Sequence, residues 1–319
     1  MDRTFEIVLP VFGLIAIGYA VAAARLLPRR TGESLSDFVF VVAIPVLIFR
    51  TIAVADFAGA SPWRLWLAFF AVFALTWFIG SWTAKTVFHR GARISLVAGI
   101  SAAYGNAVLI GIPLALAAFG NDGAVPMALI IAIHLPIMMG ASAALIVRAE
   151  QVDGVGPPSA GGVASAKTVL LSLVTHPIII GIVVGILWRL IGLPLGGVSG
   201  ALVGRIGDIA APLALLAMGM NLRRYGISGN VRFGAVLALL KLVVMPALVF
   251  VLVRYVVPMP PSWAKVAVLA AACPTGVNSY LVAARFGIGH GLASNAITLS
   301  TAFAVATISV WLTIVQAAW

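Results

Sequence analysis

The sequence predicts an all-α polytopic membrane protein: ten transmembrane helices in a 5+5 inverted repeat, with broken, crossing helices at positions 4 and 9. Three observations predict it: the composition, the train of apolar segments, and a repeated set of helix-breaking residues. Of 319 residues, 62% are hydrophobic and only 9% are charged, with mean hydropathy +1.15. A soluble domain carries roughly 25% charge, so no soluble fold of this length would hide so much apolar surface. The apolar runs last about 20 residues, the length of a membrane helix, whereas an outer-membrane barrel shows alternating segments of ~10.

Those runs fall near 5–27, 36–54, 63–87, 93–119, 124–148, 168–190, 203–221, 232–256, 263–286 and 290–316. One sizeable polar connection, the Gly/Pro/Ser-rich stretch 149–167, parts the fifth run from the sixth. The expected organisation is therefore a five-helix repeat over 1–148, a linker over 149–167 and a second five-helix repeat over 168–319. A shift of 167 residues lays Pro10 on Pro177, Gly18 on Gly185, Pro45 on Pro212, and Phe119-Gly120 on Phe286-Gly287. Five helices is an odd number, so the second copy must lie upside down, an arrangement common in carriers.

The basic residues stand singly or in pairs at the ends of apolar runs. That distribution reads as a topology signal and not as a nucleic-acid surface, despite the net charge of +11. Arg25, Arg29, Arg30, Lys85, Arg90, Arg93, Arg148, Lys167, Arg223, Arg224, Arg232 and Arg285 flank odd loops; Arg3, Arg50, Arg64, Arg189, Arg254 and Lys265 flank even loops or termini. The excess places odd loops in the cytoplasm and both termini outside a plasma (cytoplasmic inner) membrane. No basic n-region precedes the first run, which is expected to be a retained helix. Cys273, the single cysteine, excludes an internal disulfide.

Span 4 reads SAAYGNAVLIGIPLALAAFG (101–120) and contains Gly105, Asn106, Gly111 and Pro113. In lipid a freed backbone group costs several kcal/mol, so such a break persists only where protein or a wet cavity receives it. Pro113 lacks an N–H, clashes with the Leu109 carbonyl and suits the first position of a new half-helix; the glycines permit unwinding. Span 9, AACPTGVNSYLVAARFG (271–287), carries its own break at Pro274, Thr275 and Gly276, with Asn278 expected to cap the second half and Ser279 beside it. Two interrupted spans at corresponding places point to a binding site, and facing half-helix N-termini favour an anion such as a carboxylate. The alternative is that the breakers only kink packed helices while each Asn bonds across an interface.

With these two segments, GNAVLIGIPLALAAFG and PTGVNSYLVAARFG, the chain resembles the auxin efflux carrier family, which includes plant PIN carriers and bacterial malate or malonate permeases. The resemblance covers the whole chain. It implies an elevator-like mechanism, with helices 3–5 and 8–10 as transport domain and helices 1, 2, 6 and 7 as scaffold and homodimer interface. It further implies that Asn106 and the Pro274–Gly276 segment touch a small organic anion, a dicarboxylate such as malate or malonate or else an auxin-like monocarboxylate. The linker is far shorter than the regulated loop of the long plant carriers.

Ionisable groups inside membrane spans are functional candidates. Lys241 in span 8 supplies positive potential near the site, pairs with a carboxylate, or snorkels to the interface. Asp208 is expected to pair with Arg205 at i−3, a proton-coupling role being the alternative. Asp37 is expected to open span 2 as a cap or dipole partner. His134 and His176 each stand beside a proline; they either titrate near neutral pH or fill the hydrogen-bonding gap it leaves. The stretch GVSG (197–200) is like the surroundings of an intramembrane serine nucleophile, but no His is placed by pattern to activate Ser199. No zinc, aspartyl or phosphate-loop motif occurs, so neither enzyme activity, metal nor cofactor is expected. Other readings are an H⁺- or Na⁺-coupled symporter or antiporter of crossover architecture, an anion channel, and an intramembrane hydrolase.

Overall fold

The computed structural model describes residues 2–55, 61–155, 171 and 174–319. Residues 156–167 of the expected linker, Lys167 among them, and the first residues of the expected sixth span lie outside that set. Among the described residues the chain is helical throughout: α1 (Asp2–Ala23), α2 (Thr31–Ala53), α3 (Pro62–Thr86), α4 (Ala92–Ala103), α5 (Ala107–Phe119), α6 (Asn121–Val152), α7 (Pro177–Ile191), α8 (Gly197–Tyr225), α9 (Val231–Val256), α10 (Pro261–Ala272), α11 (Asn278–Phe286) and α12 (His290–Ala318). Seven of these, α1, α2, α3, α6, α8, α9 and α12, are long and apolar enough to cross a membrane, and α4, α5 and α7 are shorter apolar helices. Among the described residues the β-type pairing is one isolated antiparallel bridge, Gly105 to Thr275.

Proline shapes the long helices in a repeated way. Among the described residues four five-residue π-helical turns occur, Val39–Ala43, Ala107–Gly111, Leu240–Val244 and Leu252–Val256. Each is followed, two positions on, by a proline: Pro45, Pro113, Pro246 and Pro258. A proline ring collides with the carbonyl four residues back and offers that carbonyl no donor; a widened turn relieves both. The Leu242 carbonyl, which a residue other than Pro246 would serve in a regular helix, instead accepts the Trp311 indole N–H at 2.9 Å. Gly111 and Pro113 thus belong to this device and not to the break itself, which is confined to Tyr104–Asn106.

Glycine sets the closest helix contacts. α1 packs on α8, and α2 on α7. A Cβ at Gly18 would collide with the Leu216 carbonyl of α8, and one at Gly185 would lie 3.0 Å from the Phe49 carbonyl of α2. The shift of 167 residues that relates Gly18 to Gly185 also relates Phe49 to Leu216. Around the centre, α4 and α10 are buried along nearly their whole length, and the Ala-rich face of α10 (Ala264, Ala267, Ala270, Ala271, Ala272) lets its neighbours come close. The outer surface carries exposed apolar side chains such as Leu9, Trp63, Leu190 and Val198, as lipid contact requires.

Two polar expectations are corrected. Asp208 pairs with Arg50 of α2 at 2.8 Å, not with Arg205, because α8 lies against α2. Asp37 stands seven residues into α2, exposed, and Glu33 is the acidic residue of its first turn. α6 runs to Val152, beyond the expected end at 148, and Asp153 then bonds the N-terminus of α4: its carboxylate accepts from the Ala92 and Arg93 amides (2.7 and 3.1 Å) and from the Arg93 guanidinium (3.0 Å). Burial alone would raise the Asp153 pKa, but these donors outweigh it and hold the carboxyl below its usual value.

Candidate functional site

At Tyr104 the backbone leaves α4 in an extended conformation (φ −78°, ψ 109°), and at Cys273 it leaves α10 likewise (φ −57°, ψ 139°). The two freed segments solve one another's hydrogen-bonding problem. The Asn106 amide donates to the Pro274 carbonyl and the Gly276 amide donates to the Tyr104 carbonyl, both at 2.8 Å. Thr275 is fixed by its amide on Ser300 Oγ (2.9 Å) and by its hydroxyl on the Ser101 carbonyl (2.8 Å). Gly276 must be glycine, since a Cβ would stand 2.9 Å from the Tyr104 ring and 3.2 Å from the Gly105 carbonyl.

The broken segments meet at a cavity of about 130 Å³ lined by Phe40, Tyr104 to Val108, Ile131, His134, His176 and Gly276 to Asn278. Liquid water occupies about 30 Å³ per molecule, so this space suits a solute of a few heavy atoms. Among the described residues the backbone amides of Val108, Val277 and Asn278 have no acceptor, as expected of donors in the first turn of a helix. They open α5 and α11, whose N-termini each carry about half a positive charge. Among the described residues no carboxylate lines the cavity. It therefore offers an anion several unspent donors and a positive potential.

Of the residues expected to bind substrate, Gly105, Asn106, Gly276 and Asn278 line this cavity, whereas Gly111, Pro113, Pro274, Thr275 and Ser279 do not. Asn106 caps the turn that follows, its Oδ1 accepting from the Leu109 amide at 3.2 Å while Nδ2 lies 3.2 Å from Met218 Sδ. Asn278 is not the cap expected: it is the first residue of α11, Val277 holds the cap position, and its side chain lies beside the Tyr104 hydroxyl. Ser279 turns its hydroxyl back to the Gly276 carbonyl at 3.1 Å.

Both histidines come to the cavity, and neither plugs a proline gap. His134 packs among Phe69, Phe70 and Phe73 with its ring 4.1 Å from that of Tyr104, and its Nε2 has no partner. His176, half-buried at the start of α7, leaves Nδ1 without a partner. Lys241 does not snorkel. It is fully buried, its Nζ donates to the Ala271 carbonyl at the C-terminal end of α10, and its stem lies against Gly105. Among the described residues it has no acidic partner. Asp208 lies away from the cavity. Sequence inspection overlooks Tyr104, Val108 and Val277: attention to helix breakers passes over the aromatic residue before a break and the apolar residues whose amides follow it.

A family model described as "Membrane transport protein" matches residues 4–312. A protein of Rhizobium meliloti (strain 1021) described as "Putative malonate transporter" is 27% identical over 321 residues, covering 97% of this chain and 95% of the relative. An "Uncharacterized transporter" of Methanothermobacter thermautotrophicus is 24% identical over 312 residues, 96% of each chain. A further uncharacterized transporter, from Methanocaldococcus jannaschii, is 21% identical over 316 residues, 96% of this chain and 97% of the relative.

Proposed function

Since the chain belongs to the membrane transport protein family, we propose that it is a secondary carrier of small organic anions working by elevator-type alternating access. The observation that carries the anion is the cavity at the crossover, where among the described residues the amides of Val108, Val277 and Asn278 are unpaired and no carboxylate competes. Its volume favours a short acid, and the Rhizobium relative's name makes malonate the first to try; malate and auxin-like monocarboxylates follow.

Several features support a 5+5 inverted repeat behind this mechanism. The Gly18–Leu216 and Gly185–Phe49 contacts exchange places under the shift that relates the halves. The bridge at Gly105 and Thr275 is reciprocal. Counting α4 with α5 and α10 with α11 as single broken spans, and α7 as the sixth, yields ten. In this arrangement α1, α2, α7 and α8 form the scaffold, with a homodimer interface, while α3–α6 and α9–α12 form the moving part. Both termini lie outside the plasma membrane. A proton-coupled variant is favoured by the unpartnered His134 and His176 nitrogens at the cavity.

The test is thermal stabilisation of the purified protein across a panel of small carboxylates, at several pH values and with or without Na⁺. We expect malonate-like acids to raise the unfolding midpoint, and Asn106→Ala to weaken that response by roughly tenfold, the size of one lost hydrogen bond to a charged group. A well-folded Asn106→Ala protein with unchanged affinity would sink the site. A response steepening with acid supports proton coupling.

A further inference from the structure

A second, larger cleft lies at the opposite extreme of chemistry from the apolar surface, where α1 ends, α2 begins and α8 ends. It measures about 710 Å³, and its walls carry Arg25, Arg29, Arg30, Arg223 and Arg224 against one acidic residue, Glu33. Two of the five arginines are committed: Arg223 donates to the Ala22 carbonyl at the end of α1, and Arg224 pairs with Glu33. Asn221 ties α8 to α2 through the Gly32 carbonyl (3.2 Å) and Ser36 Oγ (2.8 Å), so the walls are held together. The guanidinium groups of Arg25, Arg29 and Arg30 have no acceptor among the described residues.

Arg25 adds an observation that bulk charge does not explain. α1 closes with the Leu26 amide on the Val21 carbonyl (3.2 Å) and the Arg25 amide on the Ala22 carbonyl (3.3 Å). This closure places its left-handed position at Arg25, φ +57°. Glycine is the usual occupant, because a side chain is strained there. The chain instead holds an arginine in that position at the cleft. Beside it, Leu26 and Leu27 are 71% and 46% exposed, an apolar rim next to a cationic pocket, the pairing that marks a membrane interface. The size falls within the range of pockets that enclose a small-molecule ligand, about 300–1,000 Å³.

We infer that this cleft binds a phosphate-bearing anion of headgroup size, with the fork-shaped guanidinium donors of Arg25, Arg29 and Arg30 taking the phosphate oxygens. Guanidinium matches the planar pairs of oxygens that phosphate presents, and three unspent forks suit a diester or a pair of phosphates. Two sources carry this chemistry, the headgroup of an anionic phospholipid and a soluble phosphate compound. The inference is independent of the transport site, which none of these residues touches.

The test uses the full-length protein in phosphatidylcholine nanodiscs and follows the thermal unfolding midpoint. In one arm phosphatidylglycerol is titrated into the bilayer; in the other, pyrophosphate is titrated into solution. The comparison is between the unmodified chain, the triple variant Arg25→Gln, Arg29→Gln, Arg30→Gln, and a control pair at other basic positions, Arg64→Gln with Lys265→Gln. The expected result is a raised midpoint whose apparent affinity falls roughly a hundredfold in the triple variant and is unchanged in the control pair. A response in the lipid arm alone identifies the headgroup; one in the solution arm alone identifies a free phosphate compound. Should the triple variant fold poorly, Arg25→Gly serves, since glycine accepts the left-handed turn while removing one fork: it should unfold at a higher midpoint yet bind more weakly. The inference is overturned if neither arm shifts the unmodified protein, or if the arginine variants respond as it does.

Discussion

A buried ammonium without a carboxylate costs several kcal/mol, and Lys241 offsets part of that cost with the Ala271 carbonyl, the negative end of α10 and a weak contact to Met245 Sδ at 3.5 Å. Stability therefore does not account for its presence. Lys241→Met keeps the length and removes the charge, so the unfolding midpoint should rise, as replacement of buried ionic groups by apolar ones often does. Carboxylate affinity should fall by roughly tenfold, equivalent to ~1.4 kcal/mol. Titrating the carboxylate panel against both proteins separates these effects; a lower midpoint with unchanged affinity would make Lys241 purely structural. Residue identity is legible in the sequence where chemistry is local. Asn106 and Gly276 stand out because a polar amide and a glycine break an apolar run. The histidines are visible as candidates, but their convergence on one cavity depends on α6 and α7 meeting there, which no local pattern encodes. Asp208 escapes the sequence for the same reason: spacing along a helix reveals Arg205, whereas packing supplies Arg50.

Helices and their ends carry a different lesson. Each π turn announces itself by a proline two positions on, so the widened turns of α2, α5 and α9 are available to a reader who treats proline as a helix shaper and not only as a breaker. Pro10, Pro126, Pro136 and Pro212 sit inside helices with no π turn, so the rule needs context beyond the proline. The α6–α4 clasp is the element whose energetics are most open to test. Asp153 accepts three hydrogen bonds at the N-terminus of α4, and its side chain retains 16% exposure. Asp153→Asn should lower stability by about 1.5 kcal/mol, the lower end for hydrogen bonds to charged groups. Because the folded pKa is depressed below 3.8, the contribution is present above that unfolded value and is lost as pH falls through the folded one. The difference in midpoint between the unmodified protein and the Asp153→Asn variant should thus be constant near neutrality and shrink below about pH 4.

For the whole molecule, the two glycine contacts make a paired prediction. Gly18→Val drives a side chain into the Leu216 carbonyl and Gly185→Val drives one toward Phe49, where the backbone oxygen is farther away. Both should destabilise, by about 1–3 kcal/mol for overpacking, with Gly18 the more costly, as thermal unfolding of the two variants would reveal. The length and number of apolar runs make the helical class readable from composition alone, because lipid leaves so few ways to satisfy a backbone. The site needs three dimensions, since its donors are backbone amides, two of them on the apolar residues Val108 and Val277. The bridge at Gly105 and Thr275 has a consequence of its own. Each strand gives the other the hydrogen bond it receives, which is how two identical chains would meet across a dyad if inserted in opposite senses. Such chains would have to carry no net preference for either side of the bilayer. In the inverted repeat proposed above, joining the halves in one polypeptide would release each from that ambivalence and leave it free to acquire its own distribution of arginine and lysine, and with it one fixed orientation.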